Sequence, residues 1–474
     1  MTTNSNKELQ RVLRTRDVVM IAFGAMIGWG WVISSGQWIE TGGAVGTVLG
    51  FALGGFMIYL VGLTYAELTT AMPKSGGPQN FSYAAFGSMG SFICTWTLAL
   101  SYIGVVCFEA CSFATIMQYV VPDFLQGYLY TIAGYDVYLS WVVVAILASA
   151  LIVYINFLGT KSAAKLQNIL TCIIAGVGLL LVAGATATGD MSNMIAQKFV
   201  GNSTGEMLNN TLKVAIMTPF FLFGFDIIPQ AAEEINVPMK RVGKLMMLSI
   251  SMAVVFYAMV VLAIGYVMTP TQIANSMSAT GMVTADAIAV AFSNVAMTKV
   301  LIIGGLCGIV TTWNSFLIGG SRVLFSMSKA RMLPSKFSLL HKENNTPYVA
   351  IFFLGAISMI APFFGRVMLV WIVDAANFAC CLAYSIVALS FIRLRKKRPD
   401  IVRPFRVRSG MVVGVLATLM AGLMGMMYII PGTNCSLNWQ EWLIVGGWTF
   451  LGVLLAVRAK RLYKEEFCSG MNFD

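Results

Sequence analysis

Long apolar runs recur from one end of this 474-residue chain to the other, divided by short polar segments. A helix needs ~20 mostly apolar residues to cross a bilayer. The pattern therefore predicts spans near 17–39, 44–71, 87–121, 138–156, 165–185, 212–233, 246–268, 300–327, 348–364, 367–392, 410–430 and 440–458, about twelve in all. A further stretch, 286–298, predicts a short helix outside the membrane. The expected fold is all-α and membrane-embedded, with no appended soluble domain.

Two of these runs are interrupted at mid-depth. The first contains Gly24-Ala25-Met26-Ile27-Gly28-Trp29-Gly30, and the sixth runs from Thr218-Pro219 through Gly224 to Pro229. Proline removes a backbone donor and glycine weakens a helix. Broken backbone at membrane depth is tolerated only where it lines a cavity or is buried in protein. Kinks for close helix packing would leave a similar signature. The first and sixth positions, however, are where two five-helix inverted repeats would each open on a discontinuous helix, with a solute between them. The expected organisation is an N-terminal segment at 1–16, a first repeat at 17–185, a second at 210–393, two peripheral helices at 410–458 and a tail at 459–474.

Composition strengthens the membrane reading, since 58% of residues are hydrophobic and 11% charged, where a soluble chain carries roughly a quarter charged residues. A net charge of +11 would suit nucleic acid, but its placement argues otherwise. Lys and Arg accumulate in cytoplasmic loops. With the N-terminus inside, 27 of the 31 fall on the cytoplasmic side, and Lys198, Lys213, Lys299 and Arg366 remain outside. Both termini are thus expected in the cytoplasm. Short loops suggest a prokaryotic inner membrane, with the lipid bilayer as partner and no nucleic acid. The first apolar run is too long, and its flank too polar, for a cleavable signal peptide. The nine cysteines contain no CxxC pair, and the one histidine, His341, has no catalytic companions. Metal or nucleophilic catalysis has no support, so neither an enzyme nor a cofactor is expected.

Four stretches together resemble the amino acid–polyamine–organocation (APC) transporter superfamily. One is the glycine-rich break at 24–30. Another is Tyr65-Ala66-Glu67-Leu68 leading to Met72-Pro73-Lys74-Ser75-Gly76-Gly77, similar to the family's YAEL…MPxSGG segment. A third is Phe223-Gly224-Phe225-Asp226 followed by Ala232-Glu233-Glu234-Ile235-Asn236-Val237-Pro238, similar to GFD…AEExxNP. The fourth runs from Ser321-Arg322 through Leu333-Pro334 and Thr346-Pro347 to Leu394-Arg395, Pro399 and Arg403-Pro404-Phe405, similar to the LRxxxPxxxRPF loop. The resemblance, spread in order over 15–408, implies ten helices in two inverted repeats plus two peripheral ones. It also implies alternating access and a central site between helices 1, 3, 6, 8 and 10.

An unwound helix frees N–H groups at the start of its outer half and carbonyls at the end of its inner half. The amides of Gly28, Trp29 and Gly30, beside Gly24 and Ile27, would hold a substrate carboxylate. The carbonyls of Phe221, Phe223 and Gly224 would accept from an ammonium group. The resemblance puts Phe220 where family members carry a gating aromatic, able to exclude water or contact a cation; as one Phe among 30 it could equally face lipid or core. Ionisable groups inside the bilayer are costly and usually face a pocket, which singles out Glu109 in the third span. It would pair with a substrate amine, titrate during transport, or anchor a neighbouring polar group. The resemblance gives Asp226 and Glu233 gating or proton-linked roles, with pairing to a basic residue as the alternative. Trp313 and Asn314 in the eighth span and Asp374 and Asn377 in the tenth are further candidates. Thr311, Thr312 and Ser315 are the hydroxyls available to a coupling cation.

Three positions depart from the family pattern. The residue between the last two glycines of the first-helix motif is usually small, whereas Trp29 stands there and Trp31 follows. Where some proton-coupled members carry a fifth-helix lysine, this chain has Ile174. The acid–glycine pair usual after the eighth helix is replaced by Ala330-Arg331. The resulting expectation is a secondary transporter or exchanger for a small amino acid, coupled to H+ or Na+. The alternative is an amine or polyamine carrier that recognises its cation through Glu109. A solute-gated channel would need a continuous polar pore supplied by symmetric subunits. A transporter-like sensor would be expected to carry a signalling extension.

Overall fold

The computed structural model describes residues 9–121, 123–365, 367–433, 436–464 and 467, with the backbone alone for 367–370. Of the expected terminal segments, residues 1–8, 465, 466 and 468–474 lie outside the described residues, as does Arg366.

Among the described residues, ten helices are long and apolar enough to cross a membrane: Thr15–Ile33, Ala44–Ala71, Gly77–Val120, Leu139–Phe157, Thr160–Thr188, Met239–Val267, Ala296–Lys329, Trp371–Lys397, Gly410–Ile429 and Trp439–Tyr463. The sixth predicted run is helical over Thr204–Phe221 and Ile227–Gln230, with a gap between. The ninth is the shorter apolar helix Tyr348–Phe364. The protein is an all-α membrane protein, and these helices are called the first to twelfth spans in chain order.

Local chemistry sets several boundaries. At the start of the first span the Asp17 carboxylate accepts the Arg14 N–H at 2.8 Å, an anion where a helix N-terminus favours one. The twelfth span opens on a reciprocal pair, in which Asn438 accepts from the Glu441 N–H and the Glu441 carboxylate accepts from the Asn438 N–H. The third span begins at Gly77, ahead of the expected residue 87, and bends at Gly87, where φ is +76°. Its polar first turns remain helical because their side chains find partners. Gln79 Nε2 donates to the Ser326 carbonyl at 3.1 Å, and the Ser82 hydroxyl to the Pro78 carbonyl at 2.6 Å.

The short helix expected at 286–298 is instead Val283–Ala291, preceded by Pro270–Ala279. Ser293, at φ +49°, ends that stretch. Asn294 Oδ1 then accepts the Ala296 N–H at 2.9 Å and opens the eighth span. A small antiparallel hairpin, Tyr128–Ile132 with Tyr135–Tyr138, turns at Ala133 and Gly134, both with positive φ, as a tight hairpin turn requires.

The third and eighth spans form the centre, with 78% of their most apolar windows buried in protein, against 28% for the eleventh and 17% for the twelfth. The last two therefore sit at the periphery. The first span packs among the fifth, seventh and eighth. Two stretches that carried the family resemblance meet on the N-terminal side of the bundle. The buried Glu67 carboxylate is clamped by Arg395, by Arg403 Nε at 3.1 Å and by the Val407 N–H at 2.7 Å. A buried carboxylate needs such partners, so this pairing ties the end of the second span to the loop after the tenth.

Candidate functional site

In the first span the N-terminal helix ends at Met26, the Ile27 N–H donates to the Phe23 carbonyl at 3.0 Å, and the helix restarts at Gly30. Gly28 and Trp29 form the gap. As openers of the C-terminal half, Gly28, Trp29 and Gly30 have no intrahelical acceptor for their amides. The sixth span unwinds after Phe221, with Pro219 inside its last turn. Gly224 follows at φ +129°, where a side chain is strained, and a Cβ there would stand 2.6 Å from the Ala25 Cβ. The two breaks therefore touch. Tyr257 of the seventh span binds them together, donating its hydroxyl to the Met26 carbonyl at 2.7 Å and lying 3.3 Å from that of Phe221.

Between the breaks and the third, eighth and tenth spans lies a cavity of about 130 Å³. Gly28, Trp29, Gly30, Glu109, Phe220, Phe221 and Phe223 all line it, as do Thr312 and Asn377. Glu109 is 3% exposed, and its Oε2 has no hydrogen-bond partner among the described residues. Its Oε1 lies 3.9 Å from where a Cβ on Gly28 would stand. A buried carboxylate with a free oxygen thus faces the first break. Phe220 is half-buried, its ring 4.8 Å from that of Phe221 and 6.4 Å from that of Phe223. Phe221 in turn packs on Trp38 at 4.7 Å.

Trp29 reaches this position by burying its ring edge against Gly305 of the eighth span, in the space a Cβ at 305 would need. The departure from a small residue is therefore matched by a glycine opposite. Trp31 turns away, fully buried with its ring edge-on to Phe256 at 5.3 Å. Ile174 packs its Cδ1 on Gly308, which also backs onto the Gly28 carbonyl. Arg331 adopts a left-handed φ of +56°, a conformation in which glycine costs less.

Other candidates lie off the lining or have their polar groups spent within the protein. Gly24 packs on Thr171 and Gln167, and Ile27 and Trp313 are buried away from the cavity lining. Gly224 and Asp374 are also absent from that lining. Asn314 donates to the Ala163 carbonyl at 3.1 Å and to Gln167 Oε1 at 2.9 Å, and accepts from Asn156 at 2.8 Å. The hydroxyls of Thr311, Thr312 and Ser315 donate to the carbonyls of Gly24, Ala25 and Ile21 at 3.0, 3.2 and 3.1 Å, pinning the first span's N-terminal half. Asp226 accepts from Tyr102 at 2.7 Å and Tyr384 at 3.1 Å. It also accepts the Gly224 N–H at 3.2 Å, bracing the turn after Gly224. Glu233 borders a separate polar cavity shared with Lys74 and Lys329.

Sequence reasoning missed Tyr257 and the buried ion pair between Glu234 and Arg322. Arg322, 1% exposed, donates Nε to Glu234 Oε1 at 2.6 Å and Nη2 to Oε2 at 3.0 Å, and Thr160 bonds the same carboxylate. The Glu234 carbonyl also accepts the N–H groups of Val12 and Leu13, both at 2.9 Å. The sequence offered two adjacent acids, Glu233 and Glu234, and spacing alone does not say which turns inward. Nothing distinguishes Tyr257 from any other tyrosine in an apolar run.

The model of one family, described as amino acid permease, matches residues 13–454. A branched-chain amino acid permease of Bacillus subtilis is 27% identical over 426 residues, covering 88% of each chain. The methylthioribose transporter of the same organism is 24% identical over 454 residues, 94% of this chain and 93% of that one. The cystine/glutamate transporter of Pongo abelii is 25% identical over 409 residues, 84% of this chain and 77% of its own.

Proposed function

Because the chain belongs to the amino acid permease family, a family of transporters and not enzymes, we propose that it is a secondary transporter or exchanger moving an amino acid by alternating access. The relatives' names span branched-chain amino acids, methylthioribose and cystine with glutamate. The substrate of this chain must therefore be read from its own side chains.

The observation that carries the reading is the unpartnered Glu109 oxygen beside the Gly28–Gly30 break. A substrate carboxylate on those amides would lie near the Glu109 carboxyl. Two like charges in a low-dielectric site repel strongly, so a positive group must join them. The α-ammonium of the substrate supplies one, and a proton on Glu109 would serve as well, which makes H+ a candidate coupling ion. Na+ would instead have to replace the bonds that Thr311, Thr312 and Ser315 now make to first-span carbonyls.

Alternating access is supported by an asymmetry of closure. On the N-terminal side Arg322, Glu234 and Thr160 bolt the path, while Ile33 and Ser34 of the outer half line the cavity. With the basic side in the cytoplasm of a prokaryotic inner membrane, this is an arrangement open outward and closed inward. Transport would require the Glu234–Arg322 pair to part. The organisation into 5+5 inverted repeats, 17–185 and 210–393, belongs to the same proposal.

The same Glu109 oxygen favours a second reading, an amine or polyamine carrier that needs no carboxylate. Counterflow in proteoliposomes preloaded with single amino acids, monoamines or polyamines separates the two. Labelled entry with zwitterionic amino acids alone supports the amide cradle. Entry only with amines lacking a carboxylate moves recognition to Glu109 and refutes the amino acid reading.

A further inference from the structure

A second cavity, of about 480 Å³, lies on the outer wall of the bundle between the third, tenth and twelfth spans. Its size is that of a ligand cleft, yet its body offers no free donor. Trp96 and Trp448 stack at 4.2 Å, and each indole N–H donates to the other's backbone carbonyl at 2.9 Å. Thr97 and Thr449 spend their hydroxyls on the carbonyls of Ile93 and Val445 within their own helices. What remains is ring faces and methyl groups. The occupant of the body must therefore be apolar along its length.

One end of the groove is different. Lys460 lines it. Arg393 lies at the same end, its guanidinium 5.0 Å from the ring of Phe86, three residues before the groove residue Met89. Both cations are exposed and stand at the C-terminal ends of their spans, just past the apolar stretches. An apolar slot on a membrane-facing wall, with positive charge at its interfacial end, complements one molecule in both parts: an acyl chain in the slot and an anionic phosphate at the charges. Basic pockets between transmembrane helices bind such headgroups. We infer that the groove between the third, tenth and twelfth spans is a binding site for an anionic phospholipid, with one acyl chain against Trp96 and Trp448 and its headgroup at Lys460 and Arg393. The site is separate from the central cavity. Because the twelfth span is otherwise loosely covered, the lipid would act as packing between it and the core.

The full chain in phosphatidylcholine vesicles is titrated with phosphatidylglycerol carrying brominated acyl chains, and tryptophan quenching is followed. Quenching is expected to saturate, and to shrink in Trp448→Phe. Each lost cation should weaken binding about fivefold, so Lys460→Gln with Arg393→Gln should weaken it about 25-fold and abolish preference over brominated phosphatidylcholine. Thr449→Phe, which fills the slot without adding an indole, should abolish quenching of this pair for both lipids. The charge variants change only exposed side chains and carry the test even where Thr449→Phe fails to fold. Equal quenching by both headgroups in the unmodified chain overturns the inference, as does saturation unchanged by the charge variants. A change in oligomer size on filling the slot also overturns it, by making the groove a contact between copies of this chain.

Discussion

The contact between Trp29 and Gly305 sets the shape of the central cavity and gives a prediction whose sign depends on the background. The indole edge of Trp29 occupies the volume a Cβ at residue 305 would take. An indole is rigid, so Gly305→Ala cannot be absorbed by bending it. The ring must turn, and the open space beside it is the cavity of about 130 Å³. Forcing an extra carbon into a packed contact costs ~1–3 kcal/mol. The helix-propensity gain of alanine over glycine, ~1 kcal/mol, offsets part of this, leaving a net loss of up to ~2 kcal/mol. In the Trp29→Ser background the clash is gone, and the same Gly305→Ala should stabilise by up to ~1 kcal/mol. The assay is a double-mutant cycle on thermal unfolding of purified protein, with counterflow on the same four proteins. Gly305→Ala alone should also raise the substrate KM, because the displaced ring enters the cavity. Additive effects, or a Gly305→Ala protein with wild-type melting and KM, would refute the reasoning and leave Trp29 free of the eighth span.

Three further outcomes follow from the same geometry. Glu109→Gln should cut uptake at least about tenfold, the effect of losing ~1.4 kcal/mol of differential binding, without lowering the melting temperature; unchanged uptake across pH would remove Glu109 from the mechanism. Arg322→Met leaves Glu234 buried without its charge partner, a loss of ~3–5 kcal/mol in the inward-closed arrangement only. It should raise the labelling by thiol reagents of a cysteine placed on the N-terminal pathway, and unaltered labelling would show that the pair is no gate. Glu67→Gln leaves Arg395 and Arg403 facing each other, and should lower stability by ~3–5 kcal/mol with substrate KM unchanged, checked by melting and counterflow. A shifted KM would count against a purely structural role.

The broken helices were legible because the rule behind them is local. A glycine cluster at 24–30 and a proline–glycine stretch at 218–229 weaken a helix whatever surrounds them, and both unwind within those limits. The start of the third span was misplaced by ten residues for the opposite reason. Gln79, Asn80 and Ser82 look like loop on hydropathy, yet they remain helical because partners as distant in sequence as Ser326 satisfy them. The hairpin at 128–138 pairs two tyrosine-rich strands around Ala133-Gly134, a signal hidden by its position between two strong apolar runs.

The direction of a side chain round a helix is the harder problem, and it separates the candidates that reach the cavity from those that do not. Glu109 and Asn314 are both polar residues in long apolar helices, and composition treats them alike. Asn314 has its hydrogen bonds spent on Asn156, Gln167 and the Ala163 carbonyl, so its position is explained without a ligand. Asp226 is likewise accounted for by two tyrosines. Glu109 keeps an oxygen without a partner at a depth where such a group is costly. A protein under no functional demand would gain stability by replacing that carboxylate with an apolar residue of similar size. The cost is intelligible if a ligand's positive group or a proton arrives to cancel it. That is why the unsatisfied atom, more than the motif or the glycines, carries the proposal that the substrate binds beside Glu109.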